Sequence, residues 1–307
     1  MKCRKIRCFF TENRKNGQYI LESEEEISGR VSWWTESVPE GVNHEKIGVF
    51  GMVQADDEEA AKELFEAVYQ RMKSLGVQKV IGPMDHNTWN NYGFLVNTTR
   101  MAPFFLEPFQ PVKYSEWVKK AGWKELVTYY SLNARLENFH RPESQRVDLY
   151  EKEGIVLQDA SRFKDAEMFQ ILYQLSIQCF TECSYFMPAD FKVFCERYEP
   201  LLQFFRKEYI YIVWKGSQPV AFLLSFPDYK EADNLSEIKT IVVKMFGVLP
   251  EYQKKGIATV LINQAAKQAR DDGMEEMVMA QIQEGSFVAH MMPDAEICST
   301  YVLYEKE

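Results

Sequence analysis

The stretch that decides the fold is residues 246–259, FGVLPEYQKKGIAT. The apolar, β-branched run that ends at Val248 predicts a strand, and the apolar spacing over Gly256–Arg270 predicts a helix. A strand that enters a helix over a short turn leaves the first amide N–H groups of the helix unpaired, and the helix dipole adds positive charge there. Gly256 lets an anion approach the backbone, and the two lysines before it add charge. The stretch therefore predicts an anion site suited to phosphate.

The same residues resemble a known family. Gln253–Ala258, QKKGIA, matches the Q/R-x-x-G-x-G/A signature of the GCN5-related N-acetyltransferases, and the family's Val-x-Pro-x-Tyr pattern precedes it. The resemblance implies that this loop holds the pyrophosphate of acetyl-coenzyme A, the co-substrate. It also implies that backbone groups of Gly247–Leu249 grip the pantetheine arm and supply an oxyanion donor. The cofactor-binding residues implied in this way are Gly247, Val248, Leu249, Gln253, Lys254, Lys255, Gly256, Ile257, Ala258 and Thr259. An ordinary strand–helix turn with surface lysines is the alternative interpretation.

The chain also contains a weak internal repeat. Helix Glu58–Leu75 aligns with helix Gly256–Asp272 at an offset of 197 residues, and Tyr129 aligns with Tyr301 at an offset of 172 residues. The offsets differ by 25 residues, which places an insertion in the first half, within Gly82–Pro111. Two matches in consistent order favour a duplication.

A polar and highly charged segment, Glu137–Glu153, predicts a boundary between two domains, residues 1–140 and residues 152–307. The second half has strand and helix patterns in the order β-α-α-β-β-β-α-β-α-β, which is typical of a mixed α/β sheet. The resemblance covers most of the chain and extends to a tandem subgroup, whose members generally lack an assigned substrate. It implies two tandem acyl-CoA N-acyltransferase folds, the N-terminal one degenerate.

The repeat predicts a single coenzyme A site. At the offset of 197 residues, Asp56–Glu59 takes the place of Gln253–Gly256, and four carboxylates would repel a pyrophosphate. Acidic residues in a first helical turn are good caps and dipole partners, so this copy suits stability instead. We expect the first half to be a scaffold or one wall of the acceptor pocket. The insertion Gly82–Pro111, with asparagines among aromatic residues, is the segment expected to line that wall.

Acetyl transfer to an amine requires a base for the amine proton, and an acid helps the thiolate to leave. Glu237, at the start of the strand that leads to the loop, is the predicted base, and Tyr301 on the closing strand is the predicted acid. The simpler alternatives are a solvated loop residue for Glu237 and core packing for Tyr301. Asp228 is another candidate base. Family members usually carry a tyrosine on the helix that spans Ser286–Met292 here, which has none, so His290 is a further candidate.

Composition restricts the class of protein. The chain has 307 residues, 46% apolar and 26% charged, with a formal net charge of −9. These values are typical of a soluble globular protein, disfavour nucleic-acid binding and suit a cationic or neutral small partner. No apolar stretch approaches the ~20 residues of a membrane span, and the N-terminus lacks the apolar core of a signal peptide, so we expect a cytoplasmic protein. The six cysteines form no CxxC pair, which favours reduced thiols and no metal site.

The leading hypothesis is an acetyl-coenzyme A-dependent N-acetyltransferase that acts on the amine of a small molecule by direct attack on the thioester. One alternative is a peptidoglycan-bridge-type aminoacyl transferase, which also pairs two such folds but needs no coenzyme A phosphate loop. The other is a non-catalytic protein that binds coenzyme A or senses acyl groups. The sequence leaves the acceptor, the acyl-chain length and the oligomeric state open.

Overall fold

The computed structural model describes residues 4–11, 15–23, 26–41, 44–139 and 154–307. The strands in these ranges are β1 Arg4–Phe10, β2 Asn16–Ser23, β3 Glu26–Trp34, β4 Ile47–Ala55, β5 Lys79–Gly82, β6 Phe94–Thr98, β7 Lys124–Arg135, β8 Ile155–Asp159, β9 Ile210–Lys215, β10 Gln218–Pro227, β11 Thr240–Val248, β12 Glu276–Gln283 and β13 Glu296–Lys306. The α-helices are α1 Glu58–Ser74, α2 Lys113–Lys120, α3 Asp165–Cys179, α4 Phe191–Tyr198 and α5 Ile257–Asp271.

The described strands form one large mixed sheet. Its order is β1-β2-β3-β4-β5-β13-β7-β12-β11-β10-β9-β8, and β6 pairs with β13 beside this path. Most neighbours are antiparallel, but β4 with β5 and β11 with β12 are parallel. Each parallel pair is connected through a long helix, α1 or α5. The mixed α/β fold class is therefore confirmed.

The two halves of the chain exchange their last strands. β13, from the second half, pairs with β5 of the first half, and β7, from the first half, pairs with β12 of the second half. β13 and β7 also pair with each other, antiparallel, at the centre of the sheet. Backbone hydrogen bonds therefore tie the two halves into one sheet.

Strand pairing also reproduces the internal repeat. Tyr129 and Tyr301, which the sequence aligns at an offset of 172 residues, lie directly opposite each other in the ladder between β7 and β13. The register of β5 on β13 repeats that of β12 on β7, with the partners shifted by the two sequence offsets. An approximate two-fold axis therefore passes between the two tyrosines and relates the halves.

Apolar packing follows the exchanged strands. One core lies between the sheet and helices α1 and α2 in the first half, and Tyr304 of β13 is buried in it. A second core lies against α3 and α5 in the second half, and Leu132 and Ala134 of β7 are buried in it. Since each half buries side chains of the other half's last strand, neither core is complete without the exchange.

One predicted helix is divided in the structure, and the predicted domain boundary lies outside the described residues. The pattern over Pro188–Phe205 predicts one helix, but α4 ends at Tyr198 and a 3-10 helix, Glu199–Phe204, follows. Pro200 at the start of that segment lacks an N–H group for continued α-helical bonding. The domain boundary stays a prediction, because residues 140–153 lie outside the described residues. None of the described helices is long and apolar enough to cross a membrane.

Candidate active site

A cavity of about 1350 Å³ opens where β11 and β12 separate. The two strands pair over Thr240–Val243 and Glu276–Met279 and then diverge. The N-terminus of α5 and residues of the first half both contribute to the wall of the cavity. The cavity therefore lies between a strand fork, a helix N-terminus and the other half of the chain.

The loop before α5 has the geometry of an anion site. Gly256 is the N-cap residue of α5, with a left-handed φ of 84° and no side-chain cap. Because of that conformation, L side chains are strained at this position. Lys254 also has a positive φ, of 60°, and the Lys255 ammonium lies 5.0 Å from the centre of the Tyr252 ring. All residues from Gln253 to Thr259 line the cavity, so the structure brings the predicted loop residues together.

Beyond the fork, the edge of β11 that faces β12 is open. On the other edge, β11 continues to pair with β10, and the Leu249 N–H donates to Val220 O at 2.9 Å. Alternation along the strand then places the N–H of Val248 on the open edge. The side-chain amide of Gln253 donates to Val248 O at 3.1 Å, which anchors the loop to the same edge. Gly247 and Val248 line the cavity, whereas Leu249 is buried in the core.

Gly247 is required by packing. A Cβ at this position would lie 2.7 Å from Cys179 Cβ and 2.9 Å from a ring carbon of Phe222. Glycine therefore lets α3 approach the strand beside the cavity. β11 has a bulge three residues earlier, at Lys244, where the β10 register moves from Leu224 opposite Met245 to Ser225 opposite Val243. Bulges turn a side chain out of the normal alternation and are frequent beside active sites.

Lys244 is held at the fork by two acceptors. Its Nζ donates to Leu106 O at 3.3 Å and to Gln281 Oε1 at 3.4 Å. Leu106 and Gln281 both have left-handed backbones, with φ of 62° and 49°. Such strain in non-glycine residues persists only where surrounding structure holds it. Burial, and secondarily the charge of Arg197, lowers the pKa of Lys244 to about 8, and Glu107 opposes this shift.

The first half supplies part of the cavity wall. Residues 88–92 of the insertion, together with Leu106 and Tyr129, line the cavity. The Trp89 indole N–H donates to Met187 O at 2.8 Å, which fixes the insertion to the second half. The Gln281 side-chain amide donates to Tyr92 O at 3.3 Å across the same junction. Residues of the insertion therefore line this cavity, and their role as a wall of an acceptor pocket stays a prediction.

Tyrosines and a thiol in the wall remain protonated. Burial raises the pKa of Tyr129 well above its ordinary value, and the nearby Tyr92 adds to the shift. The two rings meet edge to face, 4.9 Å apart between centroids. Burial also raises the pKa of Cys179 to about 12, so its thiolate is scarce at neutral pH. The tyrosines are therefore phenol donors, and this thiol is a poor nucleophile.

The structure does not bring the predicted acid and base to this cavity. Glu237 is exposed and accepts from Asn234 Nδ2 at 3.3 Å, and it is not part of the wall. Tyr301 is fully buried outside the wall and donates to Glu107. The other two candidates, Asp228 and His290, also lie outside the wall. Asp228 is buried and paired with Arg100 at 2.9 Å.

Three wall residues with side chains suited to catalysis or binding were not predicted from the sequence: Tyr129, Lys244 and Arg197. The strand exchange explains the first, because β7 takes the place beside β12 that the second half's own last strand would occupy. Tyr129 is therefore where Tyr301 was expected, and the repeat already aligned the two. Lys244 and Arg197 carried no sequence signal, because a bulge and a helix contact bring them to the cavity.

The first-half position equivalent to the phosphate loop differs from the prediction. β4 ends at Ala55 and α1 begins at Glu58, so two residues connect them, against eight residues between β11 and α5. The acidic residues therefore do not replace a loop of equal length, because most of that loop is absent. Asp57 is the N-cap and accepts from Ala60 N at 2.8 Å, as the capping interpretation expected.

The second half of the chain is similar to a known protein family. Residues 169–292 match the model of the acetyltransferase (GNAT) family. The second half of the chain contains a GNAT domain. Its motif and its strand fork lie within the matched range. A search of curated proteins finds no match.

Three solved structures share the GNAT fold over nearly the whole chain. A GCN5-related glucosamine N-acetyltransferase region of a fungal multi-domain β-N-acetylglucosaminidase has a TM-score of 0.57 at 13% identity and covers 95% of this chain, which spans 33% of that protein. A GCN5-related N-acetyltransferase from Sphaerobacter thermophilus has a TM-score of 0.56 at 11% identity, with 97% of this chain and 82% of that chain covered. A tandem GNAT protein from the clavulanic acid biosynthesis pathway has a TM-score of 0.53 at 9% identity, with 95% and 82% covered. At these identities the likeness establishes the fold alone.

Proposed function

We propose that the chain is an acetyl-coenzyme A-dependent N-acetyltransferase that acylates an amine of a small molecule by direct attack on the thioester. The observation that carries this proposal is the continuity of one cavity. It runs from the uncapped N-terminus of α5, along the open edge of β11, to the wall supplied by the first half. The fold supports acyl transfer in general, and the cavity has room for an acyl donor and an acceptor.

The residues present fit coenzyme A. The free amide groups at the start of α5, with Lys254 and Lys255, suit a pyrophosphate, and Gly256 keeps this approach free of a side chain. The Val248 N–H on the open edge suits the pantetheine arm or the thioester oxygen. When bound, acetyl-coenzyme A supplies an activated acetyl group. The chain's own residues then orient the acceptor and move protons.

Lys244 is the group we assign to accept the amine proton. A neutral lysine has two N–H donors and one lone pair, and Leu106 O and Gln281 Oε1 account for the two donors. The remaining position at Nζ is then a lone pair available to the acceptor amine. A pKa of about 8 is close to working pH, where a general base is most effective.

Tyr129 is the group we assign to protonate the leaving thiolate. Its raised pKa keeps the phenol protonated, and it lies in the wall of the cavity. Cys179 also lines the cavity, but its raised pKa disfavours a covalent acyl-enzyme intermediate. Direct attack by the amine is therefore the route that these protonation states favour.

Calorimetric titration with acetyl-coenzyme A, followed by a screen of amines for acceptor-dependent thiol release, tests this proposal. We expect one site per chain and thiol release only when an amine is present. No binding at millimolar acetyl-coenzyme A would overturn the proposal. Binding without thiol release for any amine would instead favour the non-catalytic, acyl-sensing alternative.

A further inference from the structure

We propose that the amine accepted at this site also carries an acidic group, a carboxylate or a phosphate, and that Arg197 binds that group. This inference rests on the proposed function and specifies its substrate class. It follows from the charge of the cavity wall and from the position of Arg197.

The cavity wall has a charge opposite to that of the whole chain. The formal net charge of the protein is −9. Yet the described wall contains four cationic residues and no aspartate or glutamate. The cations are Arg197, Lys244, Lys254 and Lys255. The composition suited a cationic or neutral partner, whereas this wall suits an anionic one.

Two of these cations belong to the coenzyme A end, and the other two do not. Lys254 and Lys255 precede the N-terminus of α5. Arg197 lies on α4, next to Tyr198, whose hydroxyl contacts Met245 Sδ at 3.5 Å. Met245 follows Lys244 at the fork, so α4 places Arg197 near Lys244. Under the proposed function, Lys244 marks the end of the cavity that receives the acceptor. Proximity is also indicated because the charge of Arg197 lowers the pKa of Lys244.

Arg197 is available to a ligand. Within the described ranges it forms no ion pair, although its charge acts on the buried Asp85. By contrast, Lys192 on the same helix is paired with Glu196 at 3.7 Å and does not line the cavity. An arginine at a cavity wall presents a planar fork that matches carboxylate or phosphate oxygens.

Selectivity follows from the same charges. A polyamine or another purely cationic acceptor would meet the charge of Arg197 at the fork and no aspartate or glutamate in the described wall. An amine with a carboxylate or phosphate several bonds away can place the acid on Arg197 and its nitrogen beside Lys244. Residues of the insertion, such as Asn90 and Asn91, add polar contacts in the same wall.

Matched amine pairs test the inference. Thiol release is measured with β-alanine against propylamine, and with 2-aminoethyl phosphate against ethanolamine, for the wild type, Arg197→Gln, Arg197→Lys and the control Lys192→Gln. We expect kcat/KM at least about 10-fold higher for one of the acidic members. Arg197→Gln should remove that preference mainly through KM, because a charged hydrogen bond is lost. Arg197→Lys should restore part of it, and Lys192→Gln should leave it unchanged.

A second measurement separates failure of the inference from failure of the proposed function. Calorimetry measures the binding of N-acetyl-β-alanine, N-acetyl-2-aminoethyl phosphate and N-propylacetamide to the protein, each with and without coenzyme A. Preferential binding of an acidic ligand that Arg197→Gln abolishes supports the inference, and the better of the two acids identifies the group. Equal binding of the neutral ligand, or no binding of either acid, overturns the inference even if acetyl-coenzyme A binds.

Discussion

Helices α1 and α5 follow equivalent strands in the two halves of one sheet, but their N-termini are built in opposite ways. At α1, the Asp57 carboxylate accepts from Ala60 N, and Arg4 pairs with Asp57 at 2.6 Å. At α5, a left-handed Gly256 leaves the helix without a side-chain cap, after a connection six residues longer. One terminus is closed by the protein itself, and the other is open to a cavity.

Under the proposed function, this difference separates a terminus that serves stability from one that serves binding. The unpaired amide groups of a helix N-terminus need a partner. In the first half a short connection and the Asp57 carboxylate provide it, and the acidic residues of Asp56–Glu59 disfavour another anion there. In the second half a longer loop leaves these groups for a ligand. The first half contributes instead through the wall that it presents to the second.

Gly256→Glu should give the largest effect. A carboxylate at the open N-terminus would repel the pyrophosphate and occupy its space, so we expect acetyl-coenzyme A binding to fall more than about 100-fold. The left-handed backbone at this residue adds a stability cost of about 1–2 kcal/mol. Calorimetric titration measures the binding, and circular dichroism with a melting curve checks that the variant is folded.

Glu58→Lys is the matched change at the closed terminus. Glu58 lies in the first turn of α1 and pairs with Lys120 at 2.6 Å on the surface. We expect this variant to lose less than about 1 kcal/mol of stability and to keep acetyl-coenzyme A binding. Equal losses of binding in the two variants would contradict a single site in the second half.

The second prediction compares the two tyrosines that face each other across the two-fold axis. Tyr129→Phe removes the phenol from the cavity wall and should lower kcat by about 100-fold, with coenzyme A binding retained. Tyr301→Phe removes a buried hydroxyl that bonds Glu107 outside the wall. It should lower stability by about 1–2 kcal/mol and change kcat little. Steady-state kinetics and thermal melts of both variants separate these effects.

A larger fall in kcat for Tyr301→Phe than for Tyr129→Phe would restore the acid predicted from the sequence. It would also mean that strand exchange does not determine which tyrosine serves the site. Because both substitutions delete one hydroxyl from equivalent strands, the pair controls for the general cost of the change.

The third prediction concerns Lys244 at the fork. In the equivalent strand of the first half, β4, the residue beside the bulge is Gly51, which has no side chain to act there. If Lys244 accepts the proton, kcat at saturating amine should fall as pH decreases below about 8, because the ammonium form cannot act as a base. Lys244→Met should lose that limb and lower kcat by about 10–100-fold. The pH dependence of kcat measures both changes.

Stability provides an independent test of the same residue. The folded pKa of Lys244 is below its unfolded value, so the unfolded state binds more protons between about pH 8 and the ordinary lysine range. The contribution of this group to stability therefore increases with pH through that window and is unfavourable at neutral pH. Lys244→Met should flatten this dependence, and an unchanged slope would place the pKa of Lys244 near its ordinary value.

The sequence predicted the parts of the site that depend on local chemistry. The loop predicted to bind phosphate, its helix and the preceding strand all follow from glycine, lysine and β-branched residues close together in the chain, and the structure has these three segments side by side. The repeat with its insertion also followed from local matches. These features need no knowledge of how distant segments pair.

The features that could not be predicted from the sequence depend on which distant strands pair with each other. The exchange of β7 and β13 is a choice between two strands with equivalent patterns, and nothing within either strand specifies its partner. The sequence therefore predicted Tyr301 as the acid, whereas Tyr129 is the tyrosine that lines the cavity. Glu237 followed from its position before β11, but a 3-10 turn keeps it in solvent. Lys244 reaches the cavity only through a bulge, which a regular strand pattern does not reveal.

The smallest effect is expected from Cys179→Ala, at the glycine contact beside β11. Alanine keeps the Cβ of residue 179, the atom that would lie 2.7 Å from a Cβ added to Gly247. The packing of α3 against β11 should therefore be unchanged. Because burial holds the thiol protonated, direct attack predicts that kcat changes less than about threefold and that no acetyl group is found on the protein by mass spectrometry. A loss above about 100-fold, together with acetyl-Cys179 in the wild type, would replace direct attack with a covalent route. The open half of the molecule would then supply its own nucleophile as well as its binding loop.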